Sequence, residues 1–142
     1  MKTKPTGFAC LVLLLLATHA AHAADVTVKI TNVRNDHGRI RVALCQRATF
    51  LAPHCPWQGS APATPGEVTV LVKNVPPGTY AAQAFHDEDG NGTLERNFLG
   101  LPREGMGFSN NAPMHFGPPR YDTAAFTVDS KGANIAFRLK YY

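Results

Sequence analysis

The sequence predicts an all-β domain, and three observations lead to that prediction. Six segments alternate apolar and polar residues with the period of two that places every second side chain on one face of a strand. Glycine, proline, asparagine and aspartate separate these segments at short intervals. No segment has the apolar period of a helix longer than one or two turns. We therefore expect a single sandwich of two packed antiparallel sheets, with a small closed barrel as the alternative.

The predicted strands cover residues 26–31, 40–44, 67–72, 79–86, 123–128 and 133–141. Residues 35–38 (NDHG), between the first two, are typical of a tight turn, so these two strands are expected to form a hairpin. Residues 46–66 are rich in proline and are expected to be an irregular segment folded over one end of the core. Trp57 in that segment is expected to be a partly buried anchor rather than a sugar-stacking platform.

The first 23 residues have the features of a signal peptide. Lys2 and Lys4 form a basic region, residues 8–17 an apolar core, and residues 21–23 an Ala-His-Ala cleavage site. The apolar run is shorter than the roughly 20 residues that a transmembrane helix needs. We therefore expect residues 24–142 to be one soluble domain without a transmembrane segment, located in the periplasm or secreted.

Charge and cysteine content narrow the function classes. The chain has 14 Lys and Arg against 10 Asp and Glu, and removal of Lys2 and Lys4 with the signal peptide leaves 12 against 10. These cations are scattered rather than clustered, so no nucleic-acid partner is expected. Cys45 and Cys55 remain, and we expect them to form a disulfide in an oxidising compartment. Closing so short a loop contributes roughly 2–3 kcal/mol to stability.

An acidic loop with two glycines, residues 87–95 (DEDGNGTLE), follows the fourth predicted strand. A Ca²⁺ ion would take its oxygens from alternate positions of this loop, which are Asp87, Asp89, Asn91, Thr93 and Glu95. The pattern is incomplete, because Phe98 stands where an EF-hand has its bidentate glutamate, and Glu95 or the downstream Glu104 would have to complete the set. This incompleteness favours the competing interpretation, a metal-free loop whose Asp and Asn side chains cap backbone amides in Asx turns.

The segment after this loop, residues 96–120, contains many glycines and prolines and is predicted to be irregular. Its aromatic and apolar content argues against disorder and indicates docking on the sandwich or on a partner. We expect it to supply a surface for an unidentified protein or envelope component. The residues assigned to that surface are Met106, Phe108, Ser109, Asn110 and Phe116.

Catalytic and copper-binding roles are the weaker interpretations. Ser109 lies in a GFSNN sequence that lacks the final glycine of a nucleophile elbow, and the acidic residues share one loop, so an enzyme is not expected. Copper would draw on His86, Met106, Met114 and His115, although scattered Met and His residues in an apolar segment are more often packing residues. The expected role is a binding or structural module in the cell envelope.

The stretch PPGTYAAQAFHDEDGNGTLERNFLGLPREGMGFSNNA, followed by FGPPRYDTAAFTV, resembles the signature of domain-of-unknown-function family 2141. That family consists of small exported bacterial proteins with a GxYA strand, an acidic loop, a G-x-P-x-E-G-x-G-F-S-N segment and an FGPP turn. The resemblance covers almost all of residues 24–142. It implies an immunoglobulin-like or prealbumin-like sandwich and no established activity. The family pattern often has Asp where this chain has Glu95, which weakens a ligand role at that position.

Overall fold

The computed structural model describes residue 3 and residues 21–142, so the predicted signal peptide lies almost entirely outside the described residues. The strands are β1 (Ala24–Val33), β2 (Arg39–Cys45), β3 (Trp57–Pro62), β4 (Gly66–Val75), β5 (Gly78–Asp87), β6 (Met106–Phe108), β7 (Ala125–Val128) and β8 (Ala133–Arg138). The helical elements are two 3₁₀ turns, Arg47–Thr49 and Ser109–Asn111, and one short helix, α1 (Tyr121–Ala124). No helix within residues 21–142 is long and apolar enough to cross a membrane.

The strands form two sheets packed as a sandwich, as predicted, and within the described part of the chain they do not close into a barrel. The first sheet has the order β4-β1-β8, with β1 antiparallel to β4 and parallel to β8. The second has the order β3-β2-β5-β6, and β7 also pairs with β5; all of its pairs are antiparallel. The single parallel pair is the departure from the expected antiparallel arrangement.

The inward faces of both sheets build one main core. Alternation in β1, β2 and β4 turns every second side chain inward, as the period of two predicts. The fully buried members include Val26, Val28, Ile30, Ile40, Leu44, Val70 and Val72. These residues determine which face of each strand is buried between the sheets. The loops described below lie against the outer face of the second sheet.

The predicted hairpin of β1 and β2 does not form. Residues 35–38 do turn the chain, but β1 pairs with β4 and β8 while β2 pairs with β3 and β5. The turn therefore carries the chain from one sheet to the other. Alternation specifies the buried face of a strand but not its neighbour, which is why the sequence pattern did not reveal this crossover.

Residues 46–66 are less irregular than predicted, because β3 lies within them and pairs with β2 at the edge of the second sheet. Proline is tolerated at the end of an edge strand, where Pro62 lies. The predicted Cys45–Cys55 disulfide is present, with the two Cα atoms 5.1 Å apart, and ties the end of β2 to the segment before β3. Trp57 is half-buried and packs edge-to-face on Tyr80, with ring centroids 5.2 Å apart.

The last two strands are shorter than predicted and lie in different sheets. Residues 121–124 form α1, so β7 begins at Ala125, and β8 ends at Arg138. Beyond β8, the Leu139 amide donates a hydrogen bond to the Thr31 carbonyl at 3.0 Å, and Lys140 pairs with Met106. The C-terminal residues are thereby held against both sheets.

Candidate functional site

Strand β5 ends by placing the carboxylate of Asp87 in the interior, where it is fully buried. Its Oδ2 atom accepts hydrogen bonds from Nε of Arg41 at 2.5 Å and from the Gly92 amide at 3.0 Å. Arg41 is delivered by β2, the strand that pairs with β5. Burial by itself raises the pKa of Asp87, but these two hydrogen bonds, together with the charge of Arg41 and a hydrogen bond with Asp89, outweigh burial and hold the pKa below its ordinary value. The carboxylate is therefore ionised at neutral pH.

Glu104 is the second buried carboxylate of this region, with 6% of its surface exposed. It lies just before β6 and is hydrogen-bonded to two backbone amides of the acidic loop. Its Oε1 accepts from the Glu88 amide at 3.0 Å and its Oε2 from the Glu95 amide at 3.4 Å. Burial raises the pKa of Glu104, and the nearby charges of Asp87 and Asp89 add to that rise although the two amides oppose it.

Asp87, Asp89 and Glu104 each present one oxygen to a common point, and these three atoms lie within 4.8 Å of one another. Two ligands of one Ca²⁺ ion, each about 2.4 Å from it, would be no farther apart than that. Oδ1 of Asp87 is buried and has no hydrogen-bond partner among the described residues. Because buried polar atoms are nearly always partnered, this oxygen is the atom of Asp87 that is available to a ligand such as a cation or a water molecule.

Of the five predicted ligands, the cluster contains Asp87 and Asp89. The predicted Asx turns are also present: Asp89 Oδ1 accepts from the Asn91 amide at 3.0 Å, and Asn91 Oδ1 accepts from the Thr93 amide at 2.7 Å. Nδ2 of Asn91 donates to Asp89 and to Glu95. In this arrangement the side chains of Asn91 and Glu95 and the amide of Thr93 are used within the loop. The role of these three residues as ligands stays a prediction.

The third carboxylate of the cluster is that of Glu104, whereas the sequence pattern had placed Glu95 among the ligands. Glu104 lies outside the short acidic loop, and its signal in the sequence was only its carboxylate and its position in the segment after the loop. The small bridge between Arg96 and Pro102, with the Arg103 amide donating to the Glu95 carbonyl at 2.9 Å, folds the segment back on itself. That return brings the carboxylate of Glu104 close to that of Asp87.

The predicted partner surface is wrong for Phe108 and Ser109, which are buried. Phe108 lies in β6 opposite Gln83 of β5, on the outer face of the second sheet, and its ring is covered there by neighbours such as Phe50, at a centroid distance of 5.9 Å. Met106 is half-buried, whereas Asn110 and Phe116 are exposed, so for these three the assignment stays a prediction. An irregular segment was expected here, and a strand formed instead.

A family model described as an uncharacterized protein conserved in bacteria, DUF2141, matches residues 28–136. The chain belongs to this family. The matched residues include the acidic loop, β6 and Glu104, so the site lies within the part that defines the family. No curated protein and no solved structure matches the chain. The family has no assigned activity, and function must therefore be argued from the geometry of the site.

An exposed apolar tip at residues 97–101 of this DUF2141 domain was not recognised as a separate feature in the sequence. Asn97 Oδ1 accepts from the amides of Leu99 and Leu101 at 2.9 and 3.0 Å, and the Asn97 amide donates to the Leu101 carbonyl at 2.8 Å. Phe98 is 95% exposed at this tip. The signal was an Asn-x-x-Gly sequence, since Gly100 adopts a positive φ of 78° that closes the turn.

His86, considered as a copper ligand, is fully buried with both ring nitrogens engaged. Nε2 lies 2.7 Å from the His37 carbonyl and must donate to it, so in the neutral imidazole Nδ1 accepts from the Tyr141 hydroxyl at 2.9 Å. The other residues considered for copper, Met106, Met114 and His115, line a separate cavity that does not include His86. The structure thus separates His86 from the other three residues considered as copper ligands.

Proposed function

We propose that the protein is an exported binding module of the cell envelope whose acidic loop is organised by a bound Ca²⁺ ion. The observation that carries the proposal is that Asp87, whose buried Oδ1 atom has no hydrogen-bond partner among the described residues, presents its carboxylate close to two others. The Cys45–Cys55 disulfide and the signal-peptide pattern of residues 1–23 support export, because disulfides persist in oxidising compartments.

The charge of the site favours a divalent cation. Three carboxylates converge, and Arg41 pairs with Asp87 to offset one of their charges. Two negative charges remain within a few ångströms of each other, which is unfavourable unless a cation or a proton neutralises them. Carboxylate oxygens are the ligands that Ca²⁺ prefers, and Asp89, which is exposed, leaves room for water to complete the coordination. A site with so few protein ligands belongs to the weak, extracellular class, with Kd on the order of 10⁻⁴–10⁻³ M.

The ion would join three parts of the long connection between β5 and β6. Asp87 lies at the end of β5, Asp89 in the acidic loop, and Glu104 where the chain returns to β6. Crosslinking these three positions restricts the loop and the apolar tip at residues 97–101 that it carries. In this proposal the cation has a structural role, and the loops do the binding.

The proposed role is binding rather than catalysis. The one serine considered as a nucleophile, Ser109, is fully buried, and its hydroxyl accepts from the Ala82 amide at 2.9 Å and donates to the Ala124 carbonyl at 2.5 Å. A hydroxyl held in this way by backbone groups has neither the exposure nor the neighbouring base that nucleophilic catalysis requires.

A second candidate is a protein-interaction module that needs no metal. The Asx turns at Asp89 and Asn91 support it, because they hold the loop without an ion. So does the exposure of Phe98, Leu99 and Phe116, which are 95%, 67% and 110% exposed. Solvent-exposed aromatic and aliphatic side chains on neighbouring loops are typical of a surface that contacts a protein or an envelope component.

Thermal unfolding in EDTA and in millimolar Ca²⁺ tests the two candidates. A ligand that binds only the folded state stabilises it by RT ln(1 + [L]/Kd), which is about 2.7 kcal/mol at 100 times Kd. We expect Ca²⁺ to raise the midpoint of the wild-type protein and to have no effect on Asp87→Ala or Asp89→Ala. No shift in the wild type would contradict the calcium site and leave the metal-free module.

Asp129→Ala is the matched control for Asp89→Ala. Asp129 is exposed and caps an Asx turn, accepting from the Lys131 amide at 2.7 Å, but it lies outside the carboxylate cluster. Both substitutions remove the hydrogen bond that closes an Asx turn, and Asp89→Ala also removes the one from Nδ2 of Asn91, so both should lower the midpoint slightly in EDTA. Only Asp89→Ala should lose the response to Ca²⁺. Loss of the response in both variants would mean that the effect is not specific to the cluster.

A further inference from the structure

The outer face of the second sheet is the floor of a cleft between two loops. Phe85 of β5 and Phe108 of β6 contribute to that floor. The disulfide-closed loop contributes residues 51–54 to one wall, and the acidic loop contributes residues 92–94 and Arg96 to the other. The cleft has a volume of about 590 Å³. That volume lies within the range of small-molecule binding sites, which is roughly 300–1,000 Å³.

A second cavity of about 390 Å³ continues this cleft along β2 and β3. The two cavities share Pro53, His54, Gln83, Phe85 and Gly92, so they are two ends of one elongated depression. The end along β2 and β3 is polar, with Arg41, Gln58 and Ser60. The other end is apolar, with Leu51, Leu94 and Met106. A ligand that fills both ends must have a polar head and an apolar body.

The charged residues that line the cleft indicate that the polar head of the ligand is negatively charged. No Asp or Glu side chain lines either end, whereas Arg41 lines the polar end and Arg96 the apolar end. Arg41 is already paired with Asp87, so Arg96 contributes the less compensated charge, and His54 adds a hydrogen-bond donor at the junction. The amide of Gln83, on the floor, makes no hydrogen bond to any described residue and can donate to a ligand.

We propose that this cleft binds a small amphipathic anion. Its charged head lies at the junction of the two ends, near His54 and Gln83 and between Arg41 at one end and Arg96 at the other, and its apolar body lies against Leu51, Leu94 and Met106. A carboxylate head suits the site because it accepts hydrogen bonds from the donors present and complements the positive charge. The proposal extends the proposed binding role by naming a ligand class. It does not require the cation, since none of the three clustered carboxylates lines the cleft.

Isothermal titration of the protein with dodecanoate and with dodecyltrimethylammonium, each below its critical micelle concentration, tests the proposal. The two probes share the apolar chain and differ in the sign of the head. The titrations are done in EDTA, so that failure of the calcium site does not affect the result. We expect saturable binding of one dodecanoate per chain and binding of the ammonium probe that is at least about tenfold weaker, because a cationic head meets like charge. Equal binding of both probes, or no binding of dodecanoate, would overturn the proposal.

Gln83→Glu places a negative charge on the floor of the cleft without changing the size of the side chain. We expect dodecanoate to bind at least about tenfold more weakly to this variant and the ammonium probe to bind more tightly. Asn134→Asp is the matched control, because Asn134 is exposed on β8 in the opposite sheet and the chemical change is the same. Equal weakening in both variants would attribute the effect to net charge and would overturn the proposal.

Arg96→Gln provides a second variant in case Gln83→Glu fails to fold. Arg96 is exposed at the rim, and its guanidinium donates to the Gly100 carbonyl at 2.9 Å, an interaction outside the core. Removal of its charge should weaken dodecanoate binding while the binding of the ammonium probe is unchanged or stronger. Unchanged dodecanoate affinity in Arg96→Gln would contradict the assigned position of the head.

Discussion

At Asp87 the two oxygens of one carboxylate have different surroundings. Oδ2 is held by Arg41 and by the Gly92 amide, whereas Oδ1 is buried without a partner among the described residues. A structural ion pair needs only the first of these oxygens. The second, on a residue whose carboxylate lies close to those of Asp89 and Glu104, distinguishes this position from an ordinary buried salt bridge and supports the proposed affinity for a cation.

Ser109 provides a test of residue-scale packing, because its hydroxyl bridges β5 and α1. Ser109→Ala removes the acceptor of the Ala82 amide and the donor to the Ala124 carbonyl, so two buried backbone groups lose their partner. We expect the free energy of unfolding to fall by about 1–3 kcal/mol, measured by urea denaturation. Ser130→Ala, in an exposed turn, should change it by less than about 0.5 kcal/mol. Similar small losses in both variants would contradict the bridging role.

The raised pKa of Tyr141 is expected to make the stability of the folded protein depend on pH in the alkaline range. Burial raises its pKa, and the groups around the hydroxyl are His86, which accepts its proton, the Arg34 amide and guanidinium, and the Glu88 carboxylate. The unfolded chain loses this proton near pH 10 and the folded protein only at a higher pH. The contribution to stability is therefore complete below about pH 10 and is lost as the pH rises through the folded pKa.

Urea denaturation from pH 8 to pH 11 measures this effect in the wild type and in Tyr141→Phe. We expect the free-energy difference between them to be constant up to about pH 9 and to shrink above about pH 10, because the variant cannot ionise at this position. Tyr142→Phe, at the exposed neighbour, should follow the wild-type curve. A constant difference across the whole range would refute the predicted contribution of Tyr141.

At the scale of elements, the turn between β1 and β2 connects the two sheets, and its closing glycine is constrained by a neighbour. Gly38 has a φ of 65°, and a Cβ added there would overlap the carbonyl of Asp87. Gly90, in the acidic loop, has a similar φ of 75° but has no atom within 4 Å of an added Cβ. An alanine at either position would have a strained backbone, but only at Gly38 would it also overlap a neighbouring atom. Comparing the two substitutions therefore distinguishes the cost of strain from the cost of overlap.

We expect Gly90→Ala to lower the free energy of unfolding by about 1–2 kcal/mol, which is the ordinary cost of a left-handed alanine. Gly38→Ala should cost more, because the strand end that carries Asp87 must also shift. Urea denaturation of both variants measures the difference. If the two substitutions were equally destabilising, the contact between the turn and β5 would not be as close as the structure indicates.

Sequence patterns were sufficient to predict strands and their buried faces, but they were not sufficient to predict which strands pair. The alternation of Val26, Val28 and Ile30 predicted both the strand and its buried face. It did not predict that β1 would pair with β4 and β8 instead of with β2. β3 went unrecognised because prolines flank it, and proline in an edge strand costs little when its missing amide would have faced away from the partner.

At the scale of the whole molecule, protection from hydrogen exchange should follow sheet position. β1 has partners on both sides, and β5 is bonded to β2 and to β6 and β7, whereas β3 is an edge strand. Since exchange from central strands requires larger openings, we expect the slowest amides in β1 and β5 and the fastest at residues 97–101. Addition of Ca²⁺ should slow exchange at residues 88–95 and leave β3 unchanged. Uniform protection in both sheets would contradict the topology.

The sequence by itself determined the all-β class, the buried faces of the predicted strands, the disulfide and the acidic loop with Asp87 and Asp89. These are local properties, set by alternation, turn residues and the spacing of two cysteines. The tertiary structure decided which strands are neighbours, that Phe108 and Ser109 are buried, and that Glu104 rather than Glu95 joins the carboxylate cluster. Each of these depends on contacts between residues far apart in the chain, and such contacts follow from the packing of the two sheets, which no local pattern encodes.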